Sequence, residues 1–226
     1  MSIKEQYTVQ QIPKKEAYPW ILKKHYAKRL PMTLEFVYGV FDKNIILQGI
    51  CVFGPTSPTV PLTIFGDLKK HKVRELTRLV VNNNIKNICS FFISKCFKLL
   101  PKPLCLVSFA DTGMNHSGYV YQATNWLYTG EGGGESIYKE QGKEIHLLTL
   151  NDRMKADGLN TESYCRKYNI TKEKAKPKHR YIYFLGNKNE KKKMRNNCLL
   201  RVLDYPKGNN KKYDASYEPK IQTKLF

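Results

Sequence analysis

Apolar and polar positions change period several times along this chain, and each change marks an element. Residues 35–41 (EFVYGVF) and 45–53 (IILQGICVF) are apolar runs of strand length, and Asp42, Lys43 and Asn44 between them predict a hairpin turn. Residues 75–81 (ELTRLVV) predict another strand, ended by Asn82, Asn83 and Asn84. From Ser90 to Leu100 the apolar residues move to helical spacing, stopped by Pro101, and residues 104–109 (LCLVSF) return to a short buried strand. Strand, helix, strand is a βαβ unit, which predicts a right-handed crossover in a parallel or mixed sheet. Ahead of the hairpin, the stretch from Val9 to Met32 predicts a helix that starts near Pro13 and stops at Pro31. Residues 54–58 and Gly66-Asp67 predict loops, 130–134 a glycine-rich turn, and 144–150 a strand. Residues 161–168 predict a short helix capped by Thr161, 178–186 a strand, 189–197 a helix and 202–207 an extended tail. The expected fold class is α/β (α+β), a mixed central sheet flanked by helices. Residues 1–150 would form the catalytic domain, with a basic region at 151–226 packed on it.

The stretch from Leu104 to Trp126 concentrates the candidate chemistry. Asp111 ends a strand and is followed by a loop with Gly113, His116 and Gly118, then by Tyr119, Tyr121, Ala123 and Trp126. A carboxylate there is placed at the rim of an open sheet. Arg78 lies among apolar strand residues, where a guanidinium needs an anionic or carbonyl partner unless it reaches solvent. His25 and Tyr26 are adjacent, and taken alone they fit a half-buried pair at a helix end. The order of elements is that of a GNAT-type acyltransferase, a superfamily that cradles the pyrophosphate of coenzyme A in a glycine-rich loop. The free N–H groups of a helix start near residues 87–90 suit a phosphate or carboxylate. Residues 82–89 contain no glycine, however, so acetyl-CoA use has no motif behind it.

Charge adds a partner. The 226 residues carry a formal net charge of +20, more than solubility requires, which points to a polyanion and first of all to nucleic acid. From Arg166 onward 18 Lys/Arg stand against 5 Asp/Glu, interleaved with Tyr181, Tyr183 and Tyr205, a combination suited to phosphate contact and base stacking. Lys178, His179, Arg180, Tyr181, Lys191, Lys192, Lys193 and Arg195 are the candidate DNA contacts. The six cysteines are scattered without a C-x-x-C pair, which fits buried free thiols. The spacing of His25, His116 and Asp111 is not diagnostic of a metal, and none is expected. There is no apolar run of membrane-spanning length and no apolar signal core at the N-terminus, so a cytoplasmic location without membrane contact is expected.

His25-Tyr26, residues 76–80 (LTRLV), Ser108-Phe-Ala-Asp111, His116-Ser-Gly118, Tyr121-Gln-Ala123, residues 178–184 and Tyr205-Pro-Lys207 together resemble the Mom family of phage DNA adenine-modification proteins. The resemblance extends from about Ile21 to Lys207. It implies a GNAT-related fold and conversion of adenine in double-stranded DNA to N6-carbamoylmethyladenine, which shields phage DNA from restriction. It carries over functional positions to His25, Tyr26, Arg78, Asp111 and Tyr121, with Ser94 or Ser90 on the helix after the Arg78 strand. Asn115 before His116 and the lysine-rich tail depart from the family's pattern. The adenine amine is a poor nucleophile, so a transferase would need a base, for which Asp111 and His25 are the candidates. An extruded base would need an aromatic wall, from Tyr26, Tyr121 or Trp126, with His116 and Tyr119 as further substrate contacts. Arg78 and the helix start would face the donor's leaving group. The donor stays open: a small molecule or an aminoacyl-tRNA would serve. The competing readings are an acyl or aminoacyl transferase acting on another substrate and a non-enzymatic DNA-binding protein.

Overall fold

The computed structural model describes residues 2–67, 69–82, 85–132, 136–145 and 147–207. The apolar runs become strands β1 (Thr8–Gln11), β2 (Phe36–Phe41), β3 (Leu47–Gly54), β4 (Val73–Val81), β5 (Leu104–Asp111), β6 (Leu127–Gly132), β7 (Ser136–Glu140), β8 (Lys143–Ile145), β9 (Ile170–Lys174) and β10 (Lys178–Leu185). Seven of them form one sheet in the order β1-β2-β3-β4-β5-β10-β6, and the others a second sheet in the order β8-β7-β9. The helices are α1 (Ile3–Gln6), α2 (Lys14–Pro19), α3 (Thr59–Phe65), α4 (Ile88–Leu99), α5 (Tyr119–Gln122), α6 (Leu147–Asp157), α7 (Thr161–Lys167) and α8 (Lys188–Asn197).

Strand alternation sorts side chains onto the two faces of the large sheet. Leu104, Leu106 and Ala110 of β5 pack with Phe92, Ile93 and Cys96 of α4 on one face. Cys105 and Val107 pack with Ile64 and Phe65 of α3 and Met194 of α8 on the other. On that second face Ile50 and Val52 of β3 also cover Ala17 and Ile21, from α2 and the π-helical turn Trp20–Lys24 that follows it. β4 and β5 are parallel, as the βαβ pattern predicts, but their ladder runs only from Val73↔Cys105 to Glu75↔Val107. Beyond that point the two strands part, and Ser108 Oγ donates across the gap to Leu76 O at 2.9 Å.

The mixed α/β sheet flanked by helices is as expected, and several local readings are corrected. Val9 to Gln11 is not helical: β1 pairs antiparallel with β2, Thr8 opposite Phe41. α3 lies between the two predicted loops, with Pro61 in its first turn, where the missing N–H costs no helical hydrogen bond. Residues 144–150 are not a strand. β8 ends at Ile145 and α6 begins at Leu147, because Leu150 and Met154 follow helical spacing into a core with Tyr138, Tyr164 and Ile170. The cap of α7 is Asn160, whose side chain accepts from Ser163 N, and not Thr161. Asn83, Asn84, Gly133 and Gly134 of the predicted turns, and His146 of the predicted strand, lie outside the described residues.

A boundary at residue 150 does not divide the core, since β10 lies between β5 and β6 in the large sheet. The unit that stands apart is β7, β8, β9, α6 and α7, inserted between β6 and β10 around its own small core. The extended tail is pinned beside β6, where Leu203 N donates to Tyr128 O at 2.9 Å and Tyr205 Oη to Trp126 O at 2.7 Å.

Candidate active site

The gap between β4 and β5 gathers most of the polar residues singled out in the sequence. A β-bulge at Thr77 sets one of them. Phe53 stands opposite Leu76 and Val52 opposite Arg78, so Thr77 is the extra residue. Without it Arg78 would share the face of Leu76 and α4; with it, the guanidinium reaches the chain after the π-helical turn. Nη1 donates to Thr77 O at 2.7 Å and Nη2 to Arg29 O at 2.8 Å, while Nε is buried without a hydrogen-bond partner among the described residues. That N–H meets no acceptor the described chain supplies.

His25 and Tyr26 follow the π-helical turn, with His25 N donating to Trp20 O at 3.1 Å. His25 is 8% exposed, and Ala27 N donates to its Nδ1 at 3.1 Å. Burial, and then the charges of Arg78 and His116, push its pKa down to about 4. The imidazole is therefore neutral at pH 7 with its proton on Nε2, a hydrogen-bond donor whose only lone pair is already engaged. Of the two candidate bases, His25 does not fit the role. The Tyr26 ring lies 4.3 Å from that of His25 and 5.6 Å, edge-on, from that of His116. It is 46% exposed, a flat face open to a ligand. Burial and the nearby Asp111 carboxylate raise the Tyr26 pKa, with Arg78 opposing them.

Asp111 closes β5 and accepts from Gly113 N at 2.8 Å, which folds the following turn back over the strand end. His116 N then donates to Asp111 O at 3.0 Å. On the α4 side of the gap Tyr121 Oη is hydrogen-bonded to Ser108 Oγ at 2.7 Å, and burial foremost keeps that phenol protonated. Tyr181 supports the loop from below: its hydroxyl donates to Ser117 O at 2.5 Å and accepts from Gln122 Nε2 at 3.1 Å. Gly118 lies directly on this ring at φ +80°, where a Cβ would come within 2.3 Å of Tyr181 Cε2. His25, Tyr26, Arg78, Asp111, His116 and Tyr121 thus form one cluster straddling the gap.

Other sequence candidates lie elsewhere. Trp126 is fully enclosed, so it cannot be the wall for an extruded base. Tyr181 is fully enclosed as well and cannot stack on DNA. His179 is bonded to Tyr128 Oη at 3.0 Å, and Arg180 donates to Thr129 Oγ1 and O, each at 3.0 Å, so both are tied into the β10–β6 pair. Tyr183 stacks on Phe97 at 4.3 Å, and Tyr119 is exposed on α5. Ser90 Oγ donates to Asn87 O at 3.0 Å in the first turn of α4. Ser94 is exposed and lines a groove of about 360 Å³ with Phe97, Lys98 and Lys191. Lys178 stands opposite Asp111 at the cluster's end of the sheet. Lys191, Lys192, Lys193 and Arg195 are exposed on α8, after the far end of β10.

Two residues of the site were not candidates in the sequence. Glu75 acts electrostatically on Tyr26, Arg78 and Tyr121, and Ser108 joins Tyr121 to β4. A glutamate three residues before Arg78 in an apolar strand was the available signal, hidden because odd spacing places residues on opposite faces unless a bulge intervenes. Among the described residues no group of His, Cys, Asp or Glu could hold a metal ion, and no helix is long and apolar enough to cross a membrane.

Similarity to known proteins follows this geometry. The chain is 27% identical over 190 residues to the methylcarbamoylase mom of Escherichia phage Mu, covering 81% of this chain and 77% of that protein. Among solved structures it is similar to spermidine N-acetyltransferase from Vibrio cholerae (10% identity, TM-score 0.45, 80% of this chain and 96% of the other). It is also similar to ribosomal-protein-S5-alanine acetyltransferase from Vibrio fischeri (10% identity, TM-score 0.46, 80% and 94%). Residues 6–207, which include every member of the cluster, match the Mom protein family, and the chain belongs to that family.

Proposed function

We propose that this protein modifies adenine in double-stranded phage DNA, placing a carbamoylmethyl group on N6 and so shielding the DNA from restriction. Membership of the Mom family and the name of the phage Mu relative support the DNA-modification class. The observation that carries the residue roles is the cluster at the parting of β4 and β5. There an exposed aromatic face, a carboxylate, an N–H-donating imidazole and a guanidinium converge. Tyr26 is the wall on which an extruded adenine stacks. The N6 amine attacks the methylene carbon of the donor, the new C–N bond forms, and the leaving group departs with the bonding electron pair. The proton released from N6 passes to Asp111, the base that remains once His25 is confined to donating. His25 Nε2–H holds an oxygen atom of the donor group, and the positive charge of the Arg78 guanidinium behind it stabilises the negative charge that develops there, in the manner of an oxyanion hole.

Nucleoside mass spectrometry on DNA from cells expressing the wild type and Asp111→Asn tests this reading. The expected result is a deoxyadenosine of carbamoylmethyl mass in the wild type and its loss, by at least about a hundredfold, in a variant of unchanged melting temperature. Unmodified DNA from the wild type would favour the DNA-binding protein without catalysis. An Asp111→Asn variant as active as the wild type would remove Asp111 from the reaction.

A further inference from the structure

We infer that the end of the large sheet opposite the cluster is a second surface for duplex DNA, so that one chain holds two duplex segments at once. The inference rests on duplex DNA being the substrate. Strand direction establishes the two ends. β4 and β5 run parallel from Val73 and Leu104, and β10 returns antiparallel with Leu185 beside Leu104 and Lys178 beside Asp111. Arg78 and Asp111 therefore lie toward one end, while residues 69–72, Lys102 and α8 gather at the other. The steps of about 3.3 Å from Leu104 to Asp111, first to last of the eight residues of β5, separate the two ends by roughly 23 Å.

At the far end the chain carries several lysines that enter no ion pair among the described residues, beside Lys72 and Arg74, which pair with Glu35. Two concavities open there. One of about 410 Å³ is lined by Lys69, His71, Lys72 and Arg74. The other, of about 360 Å³, is lined by Lys98, Lys102 and Lys191 together with Phe97 and Tyr183. α8 links them: Lys191 lines the second, and Asn197 Nδ2 lies 2.9 Å from Nε2 of His71 in the first. The acidic groups nearby are engaged. Glu35 pairs with Arg74 and Lys72, and Glu190 closes the capping box of α8. Lys98, Lys102, Lys191 and Lys192 are exposed, with no ion pair among the described residues. Packing of α8 needs only Met194, so the lysine run contributes nothing to the core.

Ammonium groups from α4, the α4–β5 loop and α8, converging around concave ground, fit a phosphate backbone that carries one charge per about 1.7 Å of duplex. A duplex lying across the cluster end of the sheet, over Tyr26 and Lys178, leaves the far lysines roughly 23 Å away free for a different segment. A DNA-modifying protein built this way would sit at a crossing of two duplex segments.

Two short duplexes, one carrying a donor dye and the other an acceptor, are mixed with the full-length protein and energy transfer is measured. The expected result is sensitised emission with the wild type and its loss in both K191E/K192E and K98E/K102E, each still binding a single duplex and melting like the wild type. No emission with the wild type at saturation overturns the proposal. Emission undiminished in the variants overturns it too, since bridging would then arise from self-association or another surface. Nucleoside analysis of the same wild-type protein separates the two readings. Modified adenine without energy transfer removes only the second surface; energy transfer without modification removes only the enzymatic assignment.

Discussion

At His25 one backbone N–H decides what the imidazole can do. Ala27 N occupies Nδ1, and burial holds the ring neutral, with a pKa of about 4. The folded value lies below the ordinary 6.5, so on acidification the unfolded chain takes the proton first. The stability from this group is whole above pH 6.5 and is lost as the pH falls toward 4. Urea unfolding is expected to show a loss of roughly 2 kcal/mol from this group between pH 7.5 and pH 5. His25→Gln should lack that component, and a variant that keeps the full pH dependence would show that other groups carry it. Arg78 is a second case of local geometry deciding chemistry: its two Nη groups are tied to backbone carbonyls, and Nε meets no acceptor among the described residues. A lysine has no fork of donors with which to make the same tethers.

Elements place these residues, and the bulge in β4 has the largest effect. One inserted residue rotates Arg78 from the α4 face to the face of the π-helical turn and brings it onto the same side as Glu75. The inserted unit of β7, β8, β9, α6 and α7 behaves as a separate element at this scale, with Tyr138, Leu150, Tyr164 and Ile170 as its core. Leu150 is fully enclosed within it. Leu150→Ala is expected to destabilise that unit by about 2–5 kcal/mol. Hydrogen exchange should then quicken for amides of β7, β9 and α7 while β3, β4 and β5 keep their protection. Equal acceleration in both sheets would mean that the unit and the large sheet unfold together.

For the whole molecule the governing quantity is the net charge of +20 and its distribution. Basic side chains lie at both ends of the large sheet, Lys178 beside Asp111 and the α8 lysines at the far end. Binding of duplex DNA should therefore depend strongly on salt. With about six phosphates neutralised, affinity is expected to fall roughly a thousandfold between 50 and 200 mM salt. Fluorescence anisotropy on a labelled duplex measures the slope, and a flat dependence would show that the charge serves solubility instead of contact.

Periodicity by itself determined the β2–β3 hairpin and the β4-α4-β5 unit, because each buries a face whose period the sequence displays, while β10 and α8 were legible from composition and helix- or strand-forming residues. The short motifs that resemble the Mom family, and not the periodicity, brought His25, Tyr26, Arg78, Asp111 and Tyr121 forward, with His116 as a further substrate contact. Tertiary structure decided the rest. β1 is four residues long and exists only through pairing with β2, and the helical start of α6 depended on which leucines found a core. Trp126 and Tyr181 look like stacking residues in the chain, and only the assembled sheet shows that both are enclosed. The lysines of α8 look like partners of Lys178 in sequence, yet β10 runs the length of the sheet between them and carries them to the opposite end. Sequence records which groups a segment owns; enclosure, facing and distance are properties of what packs against it.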